Sequence, residues 1–372
     1  MSEFKIPPVS TLIGSTLPNF VHILSKNKVS PRYYINIFIT LLIIIIATPF
    51  HFFEWFYYKI KLKKYVLNKP PIFIIGHWRS GTTLLHNVIS LDKDLGFFTT
   101  YNSLFSNNLT SKFLFKTLMK ITMPKKRPAD NVKLGIDLPQ EDEFAFGNYF
   151  HISYYNFFYF PNNYKKFYNE AIRLNLSKDV IKKWRNSYDI LLKKALLNTN
   201  GSQMIIKNPC NTGRIKELLR LYPTAKFIHI YRNPVVVYLS TLKFFTELFP
   251  SVQLQKIDQK LIKEIIIYVY KTLHNDYFNQ MNQIPKKQLY ELKFEDFEKN
   301  PIYFLREIYN SLNIKGFDDS KHLFERYFKE NKKYKKNTYS IERDTLKKIK
   351  KEWKFVFEKL KYSNPKNVKI LY

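Results

Sequence analysis

Apolar and polar positions along this chain group into short hydrophobic runs, most of them followed by apolar residues at helical spacing. Ile72-Phe73-Ile74-Ile75, framed by two prolines and a glycine, is too short for a helix and rich in branched and aromatic residues. It reads as a buried parallel strand. Leu84, Leu85, Val88 and Ile89 then recur at helical spacing. Further along, Leu95–Thr100 is a second strand candidate, and residues 103–123 carry a helical pattern that ends before Pro124. Helices are expected at about 164–174 and 177–199, the second capped by Ser177 with Asp179 in its first turn. Met204-Ile205-Ile206 and Lys226–Tyr231 read as strands ending in Lys207 and Arg232, and strand ends are where α/β folds place ligand groups. A helix is expected from Asn211 to Leu221, and another after Arg232, with Asn233 as N-cap and Pro234 in first position. A long amphipathic helix over 257–281, a strand at Gln288–Phe294 and a helix at Pro301–Asn313 complete the pattern, before a Lys-rich tail with helical stretches over 329–372.

One run breaks this rhythm. Tyr33 to Phe53 contains no charged residue, and Ile37–Ala47 is almost wholly aliphatic. It is long enough to span a bilayer. It starts too far into the chain and lacks the cleavage site of a signal peptide. Asn36, Thr40, Thr48, Pro49 and His51, with the continuation Glu54 to Lys59, favour a buried or membrane-surface helix over a true span. Were it to span, Lys59, Lys61, Lys63 and Lys64 would place the rest of the chain in the cytosol. The chain divides into an N-terminal arm over 1–69 and a domain over 70–372.

Composition narrows the class. With 372 residues and 45% hydrophobic content, a sizeable core is affordable in one or two domains. The single cysteine, Cys210, excludes an intrachain disulfide and favours a reducing compartment. No clustered Cys and His ligands suggest a structural metal. The net charge of +31 is compatible with nucleic acid, acidic lipid or a polyanionic small molecule. Most of it reads as a lysine-covered surface, since an anionic ligand needs only a few cations.

Chemistry concentrates first at Gly76-His77-Trp78-Arg79-Ser80-Gly81-Thr82-Thr83. Strand, glycine-bearing loop and helix together hold phosphate on backbone N–H groups at a helix N-terminus. The spacing is that of G-x-x-x-x-G-K-[ST], except that Thr82 stands where a nucleoside triphosphate loop carries lysine. The cation has moved to Arg79, so an anion should still be cradled, but not the tail of ATP with magnesium. Pro139-Gln140-Glu141-Asp142-Glu143-Phe144-Ala145 collects three acids in a chain short of them. They are either an acidic first turn favoured by the helix dipole or a carboxylate placed as a general base. Residues 147–163 are aromatic enough to wall an acceptor pocket or simply to fill a core. Arg232 with Ser240 eight residues on could be a bridge and a solvated hydroxyl, or a phosphate clasp.

The core Arg79-Ser80-Gly81-Thr82-Thr83 resembles the 5′-phosphosulfate loop of sulfotransferases that use 3′-phosphoadenosine 5′-phosphosulfate (PAPS), and the longer run FIIGHWRSGTTLLHNVIS is most similar to a bacterial-type branch. Five blocks in order, from about Pro70 to about residue 362, carry the resemblance. They include the Pro-Gln-Glu-Asp-Glu-Phe-Ala block and the acidic turn Glu295–Pro301. The resemblance implies a three-layer, P-loop-like α/β fold with a parallel sheet of about five strands flanked by helices. It implies sulfuryl transfer from PAPS to a hydroxyl or amine, with no metal. Arg79 and the loop N–H groups of Ser80, Gly81, Thr82 and Thr83 would hold the 5′-phosphosulfate. Lys207 would stabilise the leaving group, while Arg232 and Ser240 would grip the 3′-phosphate. Relatives place an imidazole two or four residues after the lysine; here Pro209 and Asn211 stand there. A carboxylate must then serve as base, Glu141 before Glu143, with His77 or His86 as fallback. The acceptor is unnamed, carbohydrate or lipid, with the apolar arm tilting toward lipid. The competing readings are a P-loop small-molecule kinase and a basic, non-catalytic protein binding membrane or nucleic acid. Neither accounts for all five blocks, and no nucleic-acid partner is expected.

Overall fold

Four side chains, Ile72 to Ile75, form the central strand β1 of a five-stranded parallel sheet, and all four are fully buried. The computed structural model describes residues 9–123, 135–331, 339–365 and 368–371; the basic stretch at Lys126 and Arg127 lies outside them. The other strands are β2 (Leu95–Gly96), β3 (Gln203–Lys207), β4 (Lys226–Tyr231) and β5 (Leu289–Lys293), in the order β2-β3-β1-β4-β5. Every neighbouring pair is parallel, with Phe73 level with Ile206 on one side and Phe227 on the other. The chain builds outward from β1 to β2, returns through β3, and crosses to the other side for β4 and β5. Strand order therefore reverses at β1, and the C-terminal ends flanking it form the crevice where such sheets bind ligands.

Helices cover both faces, as expected for a parallel sheet. In the first half they are α1 (Leu17–Ser25), α2 (Tyr34–Lys61), α3 (Thr82–Ile89), α4 (Thr100–Leu104), α5 (Lys112–Thr122) and α6 (Asp142–Tyr149). Behind them come Lys178–Leu197, Pro234–Val252, Gln259–Gln280 and Pro301–Ser311, close to their expected bounds. One core cluster lies between β1, β3, α3 and Pro301–Ser311; another packs the opposite face of the sheet around Phe73, Trp184 and Tyr188. The aromatic segment from Tyr154 to Phe160 is buried throughout and packs with Phe245 and Phe249. The arm joins the same cluster through Leu12, Phe20, Ile23, Tyr33 and Ile44.

Several boundaries differ from the sequence pattern for local reasons. The second strand stops at Gly96 because Thr99 turns to cap α4, accepting the Asn102 N–H at 3.1 Å. The helix expected over 103–123 is interrupted at Ser106-Asn107-Asn108. There polar side chains bond to backbone instead, Asn107 donating to the Gly14 carbonyl at 2.9 Å. Residues 164–172 run as one short α-helix and one wide turn. Ser177 stands before its helix without a side-chain cap bond. Asn233 does cap its helix, accepting from Val235 N–H at 3.0 Å. The tail adds a small parallel pair, Tyr339–Glu342 with Val368–Leu371, that the sequence pattern did not predict.

Candidate active site

Three loops converge at the C-terminal ends of β1, β3 and β4. The first follows β1. Gly76 adopts φ 139°, and its N–H donates to Thr212 Oγ1 at 2.7 Å. A Cβ at Gly76 would lie 2.2 Å from the Ile230 carbonyl oxygen, so only glycine lets the loop pass this close to β4. Arg79 and Gly81 are also left-handed, at φ 70° and 100°. These turns wind the chain into the start of α3, whose first-turn N–H groups have no partner within the helix. Ser80 plays a part different from the expected one. Its N–H bonds to the His77 carbonyl at 3.2 Å, and its hydroxyl reaches that oxygen at 2.6 Å and Ile230 O at 3.0 Å. Ser80 thus fastens the loop from inside, which leaves Gly81, buried Thr82 and half-buried Thr83 at the start of α3.

The second and third loops bring the cations. Arg79 Nε donates to Ser240 Oγ at 2.9 Å, and its guanidinium carbon lies 5.1 Å from the Phe244 ring centroid. Arg232, at the end of β4, sits 4.3 Å over the Phe294 ring, with Nη1 3.5 Å from the Arg79 carbonyl oxygen. Arg79, Arg232 and Ser240 therefore meet in one corner beside the start of α3. Burial pushes the Arg232 guanidinium below its ordinary value, Arg79 adds to that, and Glu295 and Glu298 oppose it. Two guanidinium groups in one corner have the chemistry to hold an anion with more than one charged end. Glu295 accepts the Asn233 N–H at 3.0 Å and the Tyr362 hydroxyl at 2.6 Å, while Asn233 Nδ2 donates to Ser363 O at 2.9 Å. The acidic turn thereby ties the tail to the edge of this corner.

Lys207, the last residue of β3, forms an ion pair with Glu141, which stands one residue before α6. The second Glu141 oxygen accepts from the Tyr155 hydroxyl, which in turn accepts from Trp78 Nε1 at 3.1 Å. Burial, with Glu141 beside it, holds the Tyr155 phenol well above its ordinary range, so it remains a proton donor. Trp78, Tyr155 and Glu141 form a chain from the loop after β1 to Lys207. Tyr155 was invisible among the many Tyr and Phe residues of 147–163.

The second carboxylate, Glu143, requires a correction. It is fully buried and bound on all sides, by Arg214 Nη1 at 2.6 Å and Nη2 at 2.9 Å, Asn208 Nδ2 at 2.8 Å, Ser153 Oγ at 2.9 Å and Tyr154 N–H at 2.8 Å. Burial alone would raise its pKa, but Arg214 and these hydrogen bonds carry it below the ordinary carboxylate value. A carboxylate so engaged cannot reach an acceptor. Its work is to lock α6 onto the loop after β3, and Arg214 is the partner that sequence reasoning did not single out. The fallback imidazoles are buried as well. Desolvation lowers His77 to about 4, with its Nδ1 at 2.8 Å from the Trp78 carbonyl, and holds His86 well below its usual value, helped by Lys207.

Residues 70–319 match the family model described as Sulfotransferase family, two thirds of the chain. The chain belongs to that family. As a sulfotransferase it is 29% identical over 298 residues to "Omega-hydroxy-beta-dihydromenaquinone-9 sulfotransferase Stf3" of Mycobacterium bovis, covering 80% of this chain and 76% of the relative. The protein of that name from Mycobacterium tuberculosis matches equally. Among solved structures, sulfotransferase STF9 from Mycobacterium avium superposes with a TM-score of 0.69 at 11% identity, over 96% of this chain and 98% of the other. STF1 from Mycobacterium tuberculosis gives 0.62 at 14%, over 84% and 85%. The expected P-loop-like α/β fold and the enzyme class are thereby established for this sulfotransferase.

Proposed function

We propose that this enzyme moves the sulfuryl group of PAPS to a hydroxyl of a lipid-like acceptor, with Glu141 as base. The observation that carries the reading is the meeting of Arg79, Arg232 and Ser240 beside the α3 cradle, next to the Lys207–Glu141 pair. PAPS has two separate anionic ends and supplies the sulfuryl group. The residues present fit both ends: Gly81–Thr83 and Arg79 for the phosphosulfate, Arg232 and Ser240 for the 3′-phosphate. The narrow turn at Gly76, which a Cβ would close, keeps the backbone close enough for this.

Charge develops on the leaving phosphate and on the sulfonate oxygens during transfer, so fixed cations supply most of the catalysis. Lys207 Nζ turns from Glu141 to the oxygen bridging sulfur and phosphate. Glu141 Oε1, released, takes the proton of the acceptor hydroxyl as its oxygen bonds to sulfur and the sulfur–phosphate oxygen bond breaks. Tyr155 keeps Glu141 in place through the other oxygen. Phe144, 4.6 Å from the Tyr155 ring, with Phe158 behind it, makes the approach to Glu141 apolar. That surround suits a lipid hydroxyl of the kind named for the mycobacterial relative. The kinase reading has no support in this family, and Thr82 lacks the ammonium it requires.

Thermal melting tests the donor site. Adenosine 3′,5′-bisphosphate should raise Tm more than adenosine 5′-phosphate or ATP with magnesium, because only it engages both corners. Arg232→Ala should abolish that preference. Equal shifts from all three nucleotides would overturn the assignment of the 3′-phosphate clasp.

A further inference from the structure

α2 is built inside out. Of the seven side chains it buries, five are polar: Asn36, Thr40, His51, Glu54 and Tyr58. With Ile44 and Ala47 between Thr40 and His51, the seven recur every three or four residues and so form one stripe, whose polar members the body of the protein holds by specific bonds. Ser10 N–H donates to Thr40 Oγ1 at 2.9 Å, and His51 Nε2 pairs with Asn108 Oδ1 at 3.0 Å. Glu54 is ion-paired with Lys194 and accepts the Thr110 N–H at 3.0 Å, and Tyr58 accepts from Asn198 Nδ2 at 2.6 Å.

The opposite face is apolar and open. Ile35, Ile46 and Phe52 are 76%, 70% and 68% exposed. Twelve of the twenty large hydrophobic side chains exposed among the described residues lie on this one helix. The neighbouring α5, joined to α2 through the edge contact of Phe50 with Phe115, exposes Phe113, Leu114 and Leu118 as well. Soluble surfaces rarely leave so large a continuous apolar patch.

Charge indicates what covers it. Between Lys26 and Lys69 the only acid is Glu54, which is buried against Lys194. Both ends of the helix carry exposed cations: Lys26, Lys28 and Arg32 before it, Lys59, Lys61, Lys63 and Lys64 at and after its end. Lys59 lies over the Trp55 ring at 4.8 Å and Lys61 over Tyr57 at 5.1 Å, an aromatic and basic pairing suited to the headgroup layer. We infer that α2 lies flat on an anionic bilayer, pressing its apolar face into the acyl boundary while its polar stripe stays bolted to the enzyme.

Pro31–Lys61 is long and apolar enough to cross a membrane, but the bonds oppose a crossing. They run from Thr40 to Tyr58, about 27 Å along the axis at the usual helical rise. A spanning helix would carry Lys194, Asn108 and Asn198 into hydrocarbon with it, which polar groups resist. A flat helix leaves them where they are. The inference stands on this surface alone and does not depend on the donor or acceptor assigned above.

Vesicle flotation of the full-length protein tests it. The protein should float with vesicles of phosphatidylcholine mixed with phosphatidylglycerol, and far less with phosphatidylcholine alone or in high salt. The triple variant Ile46→Glu, Phe52→Glu, Phe53→Glu should lose binding by about tenfold or more, since three large apolar side chains leave the boundary. Its melting shift with adenosine 3′,5′-bisphosphate should be unchanged, showing that the fold survives. Because Cys210 is buried, spin labels on single cysteines replacing Ile35, Ile46 or Phe56 report depth cleanly. Equal shallow depths support the inference; a graded profile, deepest at residue 46, means a span and overturns it. It is also overturned if the wild type fails to float, or if it forms a lipid-free dimer that the triple variant breaks, which would make the face a contact between copies.

Discussion

Glu141 and Glu143 are two residues apart and in opposite circumstances. Glu143 is fully buried with five donors on its two oxygens, whereas Glu141 reaches the crevice with Lys207 on one oxygen and Tyr155 on the other. Their amide variants should therefore separate. Glu141→Gln should keep the fold and the affinity for adenosine 3′,5′-bisphosphate while lowering kcat by roughly a hundredfold or more, the usual worth of a positioned base. Equal losses in kcat and nucleotide affinity would count against the base role. Glu143→Gln should instead leave Arg214 buried without its counter-charge and lower stability by about 3–5 kcal/mol, read by denaturant unfolding. A neutral outcome there would mean that Arg214 finds another partner.

The loop from β1 to α3 depends on backbone as much as on side chains. Gly76→Ala would set a methyl group 2.2 Å from the Ile230 carbonyl and keep φ at 139°, which a side chain resists. Both effects should destabilise the fold by roughly 1–3 kcal/mol or push the loop away from β4, weakening nucleotide binding in the same variant. Unaltered melting and unaltered binding would show that the close approach is dispensable. This element was readable in the sequence because its chemistry is local: a four-residue apolar strand, glycines five apart and a helix start follow from neighbours alone. The ends of β3 and β4 were readable for the same reason, in Lys207 and Arg232. What escaped depends on residues brought together from afar. Arg214 meets Glu143 across seventy-one positions and Tyr155 meets Trp78 across seventy-seven, and neither Arg nor Tyr is rare enough here to stand out. The polar stripe of α2 was visible as Asn36, Thr40 and His51, but only Lys194, Asn108 and Asn198 show that it faces inward.

Across the whole molecule, histidine burial sets the response to acid. His77 and His151 are lowered to about 4, by burial first and, for His151, by His22 and Lys183; His86 and His274 are held well below their usual value, again by burial. In the unfolded chain all four would titrate near 6.5. Between that value and about 4 the unfolded chain therefore binds protons that the folded one refuses, and acid draws the equilibrium toward unfolding. Asp142 works the other way. Burial, then Glu143, raise its carboxyl to about 7, so from there down to its unfolded value the folded chain holds a proton that the unfolded one lacks. Asp92, whose carboxyl burial also raises, acts in the same sense, while burial lowers His51 as a fifth imidazole, and two such carboxyls do not offset five imidazoles. Tm should accordingly fall from about pH 6.5 toward about pH 4, with the plateau above pH 6.5 rather than below it. Below the ordinary carboxylate value Glu143 adds to the loss, since its lowered pKa stabilises the fold only while it stays ionised. Melting curves taken from about pH 7.5 to about pH 4.5 check this, and a Tm that held level or rose on acidification would mean that Asp142 and Asp92 outweigh the imidazoles, contrary to their burial.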